Sequence, residues 1–422
     1  MNYFQNLKKK IKTNEAVICI IGLGYVGSVI IEKFNQNHFR TIGIDNDPRK
    51  LKLKFKSKRM KLTSDYSSIK FADIIIMALP TPLKSDMNPD LSYIKSCIQK
   101  IRKYLKKGQL ISLESTTYPG TTEEIILPIL KKNKFNVSKD FFLAYSPERI
   151  SPELKVRDKN VKYKLHNIPK ICSGYSTQCR SLAAQLYKKI TKTVVLASSL
   201  RIAEATKMIE NIFRSINIGL VNELKMFFNK IDIDINEALD LADTKPFGFT
   251  KFYPGPGYGG HCIPVDPFYL YWLAKKNNFD LKFIKTSGIV NGETINWITN
   301  KICSFIKKKK IKLFSKKILI LGVAYKQNID DIRESPALKI SSKLKLKGYD
   351  FDYSDPYIKN IKFDNKIKKS KTINSKLLKK YPVIFIATDH TKFDYDLIAK
   401  NAKYIFDARN VIKNRKKNYF KV

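Results

Sequence analysis

The segment 16–34 limits the folds open to this chain more than any other. An unbroken apolar run, Ala16 to Ile21, leads directly into G-L-G-Y-V-G and then into residues with apolar side chains at helical spacing through Phe34. So short and so apolar a run reads as a strand buried on both faces, which gives the order strand, glycine turn, helix. Gly22, Gly24 and Gly27 fall in that turn, with Tyr25 and Val26 between them. In this setting the glycines permit a tight turn, a close approach of pyrophosphate to the backbone, and packing of helix on strand, with the helix N-terminus facing the anion. A second strand, Thr41 to Ile44, ends in Asp45, whose carboxylate is placed to accept two ribose hydroxyls and to repel a 2′-phosphate; Lys50 lies just beyond. The expected cofactor is NAD.

The strand-then-loop pattern recurs. Strand Asp73 to Leu79 ends in P-T-P, Pro80 to Pro82 around Thr81; strand Gln109 to Leu113 ends in E-S-T-T-Y-P-G, with Ser115 and Thr116; strand Phe141 to Tyr145 ends in S-P-E-R, with Glu148 and Arg149. Open α/β sheets hold ligands outside the carboxyl ends of their strands, so these loops predict one crevice. Any one of them alone would read as surface, and a lone Glu–Arg after a strand as an exposed ion pair. Strand Thr193 to Leu196 closes the first domain.

From Ser199 the spacing becomes helical, with Ile202, Ala205, Ile209, Ile212, Phe213, Ile216, Leu220 and Leu224 in register. A helix of that length suggests a spine between domains and a homodimer surface. Lys207 and Asn211, four apart, share one face; aimed at one point they would stabilise an oxyanion. The loop Tyr253 to Leu270, Y-P-G-P-G-Y-G-G-H-C-I-P-V-D-P-F-Y-L, then gathers four of the chain's seventeen glycines and four of its seventeen prolines. Such a loop lets backbone close on a ligand. Cys262 sits within it, four residues before Asp266, where the chain enters a helix. A buried cysteine is ordinarily a small hydrophobe, but one beside a helix start and a cation is a candidate nucleophile. Beyond a lysine-rich joint, strands Lys317 to Val323, Tyr349 to Tyr353, Val383 to Ile386 and Tyr404 to Phe406 and helix Ser335 to Lys347 make a second α/β unit without G-x-G-x-x-G. Arg333 and Arg409 fall in its strand-end loops, where diphosphate would be gripped.

A chain of 422 residues, 43% hydrophobic, suits two or three domains. Its six cysteines show neither paired nor zinc-like spacing, so neither disulfides nor a metal site is indicated and a reducing, cytoplasmic setting is expected. No signal core or membrane span is expected. The net charge of +43 is nearly all lysine spread over the whole chain, the tail Lys413 to Lys421 included. That distribution predicts salt-sensitive adhesion to polyanions and no specific nucleic-acid partner.

Four motifs together resemble the UDP-glucose/GDP-mannose dehydrogenase family: G-L-G-Y-V-G, E-A-T-K-M-I-E-N, G-G-H-C-I-P-V-D-P and G-V-A-Y-K-x-N-x-D-D-I-R-E-S-P. S-P-E-R and K-P-F-G-F-x-x-F-Y-P-G-P-G-x-G-G-H-C-I-P resemble its UDP-N-acetylglucosamine 6-dehydrogenase branch. The resemblance implies two Rossmann-like doubly wound α/β domains joined by a central helical domain with a long spine helix: an NAD-binding domain at 1–198, a central dimerisation domain with the cysteine loop at 199–306, and a UDP-binding domain at 307–422. It implies Cys262 as nucleophile, Lys207, Asn211 and Asp266 as oxyanion and proton-handling groups, Glu148 as acid/base and Thr116 as the holder of water. It assigns Arg149, Phe252, Tyr253, Gly255, Gly257, Gly259, Gly260, Lys326 and Arg409 to the UDP-sugar, and Arg333 to the cofactor. One departure stands out: the second carboxylate that UDP-glucose enzymes place four residues after Glu148 falls on Pro152, followed by Glu153.

The chemistry also follows from electron counting. Oxidising a primary alcohol to a carboxylate removes four electrons, so two NAD molecules must come and go while the aldehyde stays bound. A thiolate meets that need through a thiohemiacetal and then a thioester, which water releases as the acid. The rivals are a dehydrogenase of UDP-glucose or UDP-N-acetylmannosamine and, in another class, a non-catalytic basic binding protein on a dehydrogenase scaffold. Two Y-x-x-x-K matches, at Tyr66 and Tyr271, lack the T-G-x-x-G-x-x-G setting of short-chain enzymes.

Overall fold

A computed structural model describes residues 2–52, 57–149, 165–412 and 418–422; Pro152, Glu153 and Lys413 lie outside them. Compactness divides the chain into two units, Met1–Glu210 with Phe268–Asn277, and Asn211–Pro267 with Asn278–Val422.

The first unit is built on an eight-stranded sheet: β1 (Val17–Ile21), β2 (Arg40–Ile44), β3 (Met60–Thr63), β4 (Ile74–Met77), β5 (Leu110–Leu113), β6 (Phe142–Tyr145), β7 (Lys170–Gly174) and β8 (Val194–Leu196). Their order is β3-β2-β1-β4-β5-β6-β7-β8, so the sheet winds outward in both directions from β1 and β4. All its pairings are parallel except that of β6 with β7. The helices are α1 (Tyr3–Lys12), α2 (Tyr25–Gln36), α3 (Ser92–Tyr104), α4 (Leu127–Lys131) and α5 (Thr177–Tyr187). On one face of the sheet, Ile18 and Ile20 of β1 pack with Leu7 and Ile11 of α1, Ile30 and Phe34 of α2, and Leu182 and Leu186 of α5.

Helix α6 (Leu200–Phe228) is the long helix expected from Ser199 onward. It is followed by α7 (Ile235–Ala242), α8 (Asp266–Lys276) and α9 (Lys282–Lys308). The second sheet holds β9 (Lys317–Leu321) and β10 (Asp350–Ser354), and, after the antiparallel hairpin of β11 (Asn360–Phe363) and β12 (Lys366–Lys369), β13 (Val383–Ile386), β14 (Tyr404–Asp407) and β15 (Tyr419–Lys421). Its order is β10-β9-β13-β14-β15, with every pairing parallel. Alternation along β9 feeds two cores: Ile318 and Ile320 join α9 and α10 (Pro336–Leu346), while Leu319 and Leu321 join α11 (Ser375–Lys380) and α12 (Tyr395–Asn401). Both Rossmann-like sheets are therefore as expected. Strands β3, β7 and β15, the hairpin and helix α1 are additions that short or lysine-interrupted sequence concealed.

Candidate active site

The glycine turn after β1 has the geometry a dinucleotide needs. Gly22 has φ +92°, and a Cβ there would stand 2.3 Å from the Ala78 carbonyl oxygen; a Cβ on Gly27 would stand 1.8 Å from the Gly22 carbonyl oxygen. At Gly24 a Cβ would meet nothing within 4 Å, so the backbone there faces open space. Gly24 is the N-cap of α2, so the turn delivers the chain straight to a helix N-terminus, the end of a helix that favours an anion. Asp45, at the end of β2, accepts the Leu23 N–H on Oδ2 at 2.8 Å and the Asp47 N–H on Oδ1 at 2.9 Å, which locks the carboxylate beside the turn. Exposed Lys50 reaches within 6.0 Å of the Tyr25 ring. Together the turn, the helix N-terminus and the acid fit NAD.

Its neighbours along the carboxyl edge are tied to one another. Ser115 Oγ donates to the Leu79 carbonyl and accepts the Leu79 N–H, each at 2.8 Å, so the loops after β4 and β5 are joined beside Pro80, Thr81 and Thr116. Tyr269 donates its hydroxyl to the Pro82 carbonyl at 3.1 Å, and Trp272 packs on Tyr118. Glu204, fully buried near the start of α6, accepts from the amides of Gly120 (2.6 Å) and Thr122 (2.9 Å) and from the Thr122 hydroxyl (2.7 Å). Burial pushes its carboxyl up to about 7 despite those donors.

Arg149 and Lys207 are brought together by Glu210, a residue to which the sequence assigned no role. Arg149 donates to the Pro169 carbonyl at 2.9 Å and pairs with Glu210 at 2.8 Å, and the other oxygen of Glu210 lies 4.0 Å from Lys207 Nζ. Glu210 lies within E-A-T-K-M-I-E-N, three residues after Lys207, and that spacing was the available signal. Glu148 itself is buried and bonded to Lys170, the first residue of β7, at 2.8 Å.

In the second unit Asn211 donates its amide to Asp266 Oδ2 at 2.5 Å while its carbonyl accepts from Arg214, so the two partners fix which end of the amide points at the carboxylate. The Cys262 carbonyl accepts from Val265 (3.1 Å) and Asp266 (2.8 Å), which sets the cysteine one turn ahead of Asp266 at the start of α8. Of the six thiols Cys262 alone is not buried. Burial pushes Cys97 and Cys172 up to about 12, which makes them inert as nucleophiles at neutral pH.

The glycines before Cys262 pack against backbone and rings. Gly255 donates to Asn222 at 2.9 Å, accepts from Lys225 at 2.8 Å and lies against the Arg409 guanidinium; Tyr258 donates its N–H to Asn291 at 2.8 Å. A Cβ on Gly259 would come within 2.8 Å of Tyr325, and Gly260, at φ +84°, donates to the Arg333 carbonyl at 2.9 Å. Gly257 has φ +121°. Phe252 stacks edgewise on Phe213, and Tyr253 donates to Asp240 at 2.8 Å. Arg333 and Arg409 lie in loops after β9 and β14, as expected, and Lys326 lies in the first of these loops; the Arg333 side chain is paired to Asp331 at 2.6 Å.

The second sheet has its own acid after its second strand, Asp355, but that carboxylate is closed. Its oxygens accept from the amides of Val323, Ala324, Tyr357 and Ile358, it pairs with His390 at 3.0 Å, and its side chain is 0% exposed. Asp355 is therefore not available as a ribose acceptor of the Asp45 kind.

The sequence matches three family models in succession: the NAD binding domain of the UDP-glucose/GDP-mannose dehydrogenase family at residues 50–191, its central domain at 201–293 and its UDP binding domain at 319–414. The chain is 32% identical to a UDP-N-acetyl-D-glucosamine 6-dehydrogenase of Salmonella typhi, over 94% of this chain and 97% of that one. It is 30% identical to a UDP-N-acetyl-D-mannosamine dehydrogenase of Pyrococcus horikoshii, over 94% and 96%. The solved UDP-D-ManNAc dehydrogenase of Pyrococcus horikoshii superposes with a TM-score of 0.84 at 28% identity, covering 96% of this chain and 97% of that one. With a cofactor turn that fits NAD and matches spread over its whole length, the chain belongs to the UDP-glucose/GDP-mannose dehydrogenase family of NAD-dependent oxidoreductases.

Proposed function

We propose that the protein oxidises the C6 hydroxyl of UDP-N-acetylglucosamine to the carboxylate, with Cys262 as the covalent anchor of the intermediate. The observation that carries this reading is Cys262 itself, the one unburied thiol, at the start of a helix and on a loop held by Asn222, Lys225, Asn291 and Arg333. NAD accepts the two hydrides. The chain's own groups do the rest: Cys262 traps the aldehyde, Lys207 and the amide of Asn211 stabilise the oxyanion, Asp266 takes up and returns a proton, and Glu148 with Thr116 activates the water that frees the acid. Asp45 with Gly22 to Gly27, Lys50, Pro80, Thr81 and Arg333 serve the cofactor. Arg149, the loop Phe252 to Gly260, Lys326 and Arg409 serve the UDP-sugar.

In this reading residues 1–198, 199–306 and 307–422 are the NAD-binding, central and UDP-binding domains. The working form is a cytoplasmic homodimer, an assembly suggested by the exposed stripe Ile202, Ile209, Phe213, Leu220 and Phe227 along α6. The product would supply an acidic amino sugar to surface polysaccharide. UDP-N-acetylmannosamine is the second candidate, because relatives of similar identity carry that name. Replacing Cys262 with Ala removes the trap and little volume; the variant should fold and release almost no carboxylate, and alkylation of the native protein should strike Cys262 first. Full activity in the variant sinks the thioester route.

A further inference from the structure

Strand β7 runs antiparallel to β6, with Ala144 opposite Gly174 and Tyr145 opposite Ser173. Reversal matters because, in a parallel sheet, the first residue of a strand emerges at the edge away from the ligand crevice. Here Lys170, the first residue of β7, emerges where β5 and β6 end, and extending the register two pairs beyond Ser146 sets it opposite Glu148. Its ammonium lies 2.5 Å from Glu114 Oε2 and 2.8 Å from Glu148 Oε2. The three side chains are 3%, 0% and 6% exposed, and the Tyr187 ring stands 5.1 Å from the ammonium. The second oxygen of Glu148 accepts the Arg149 N–H at 2.7 Å.

Two buried carboxylates on one ammonium carry net negative charge when both are ionised, which a dry interior resists. Such a cluster titrates as a unit. Burial pushes Glu114 up to about 7, Lys170 opposing and Glu148 adding to the rise. Burial also works against charge on Lys170, but its two carboxylates outweigh it and hold the proton. The other titratable groups facing the cluster, Tyr187 from α5 and Cys172 on β7, are pushed up by burial and stay neutral. Apolar residues of similar volume often replace such a buried cluster at no cost in stability, so stability is a weak explanation for the trio.

We propose that Lys170 and Glu114 are positioning residues for Glu148, and that the three side chains form one buried proton-sharing unit serving the hydrolytic half of the reaction. This rests on the reading of Glu148 as the acid/base. As water adds to the thioester carbonyl, a C–O bond forms and the water proton passes to the Glu148 carboxylate. The C–S bond then breaks and sulfur leaves with the electron pair as thiolate. Lys170 gives one proton to Glu114 and takes the one on Glu148, so Glu148 is ionised again and the proton rests on Glu114. The reverse path returns it to water when product leaves.

The test mixes enzyme with UDP-N-acetylglucosamine and excess NAD, follows NADH by stopped flow, and reads intact-protein mass in quenched samples. Glu114→Gln, Lys170→Met and Lys170→Arg are compared with Glu148→Gln, each checked for native circular dichroism. Expected for Glu114→Gln and Lys170→Met is a burst of two NADH per site, then turnover slowed about a hundredfold, with acyl mass on Cys262; Lys170→Arg keeps the charge but cannot release a proton, so it should stay slow. Native deacylation should rise with pH through about 7, since Glu114 must be ionised to accept the proton, and Glu114→Gln should be flat there. Acyl-enzyme in Glu148→Gln together with native rate and pH profile in Glu114→Gln would overturn the proposal, whatever Lys170→Met does to folding. No acyl-enzyme in Glu148→Gln would remove the underlying role of Glu148, and the inference would fall with it.

Discussion

Replacing Lys225 with Met should stabilise the protein in mild acid. Lys225 lies on α6, 7% exposed, its ammonium donating to the Gly255 carbonyl at 2.8 Å and standing 5.4 Å from the Trp297 ring. Burial, with Arg409 and Lys301 nearby, pulls its pKa from 10.5 down to about 7. At about 1.4 kcal/mol per tenfold, that gap is about 5 kcal/mol, a ceiling on the cost of holding charge there. The lost bond to Gly255 returns about 1 kcal/mol, and relaxation around the cation lowers the ceiling further, so a net gain of about 2–3 kcal/mol is expected. The sign follows from the folded value lying below the unfolded one. Below about pH 7 both states are charged and the cost is full; between about 7 and 10.5 the folded state sheds its proton and the cost shrinks; above 10.5 it is gone. Urea unfolding at pH 6 and pH 9.5, followed by the fluorescence of Trp272 and Trp297, reads this directly. The Met variant should lead clearly at pH 6 and by much less at pH 9.5. A variant less stable than the native protein by the same margin at both pH values would refute the reasoning.

Two further outcomes follow from the cofactor turn. Gly27→Ala places a Cβ 1.8 Å from a backbone oxygen, so either strand β1 or helix α2 must move; NAD affinity measured by calorimetry should fall at least about tenfold, with about 1–3 kcal/mol of stability lost, and unchanged affinity would contradict the turn's role. Asp45→Ala removes the acceptor of the ribose diol and the charge facing a 2′-phosphate, so the preference for NAD over NADP in kcat/KM should narrow; an unchanged ratio would show that discrimination lies elsewhere.

The sheets were legible because most core strands are short apolar runs, several of them closed by Gly, Pro or Ser, and the cysteine loop because its glycines and prolines crowd one segment. Strand β7 was not legible: K-I-C-S-G opens on a lysine and holds one large aliphatic residue, and nothing local announces that it runs backwards against β6. The same gap hid the pairing of Lys170 with Glu114, which lies 56 residues away in sequence. Polar residues on helices escaped notice in a different way. Glu204 and Lys225 sit on α6 among residues that look solvated, yet both are buried, each bonded to the backbone of a loop that shapes the site. A helical pattern shows which face is apolar; it does not show which polar side chain will turn inward to satisfy a loop amide or carbonyl.

The central claim is that Cys262 holds one sugar through two hydride transfers. Counting NADH against product with purified protein, limiting UDP-N-acetylglucosamine and excess NAD tests it most directly. The account predicts two NADH for each UDP-N-acetylglucosaminuronic acid formed, with no free aldehyde trapped by an added amine. One NADH per sugar, or an aldehyde that accumulates, would contradict it.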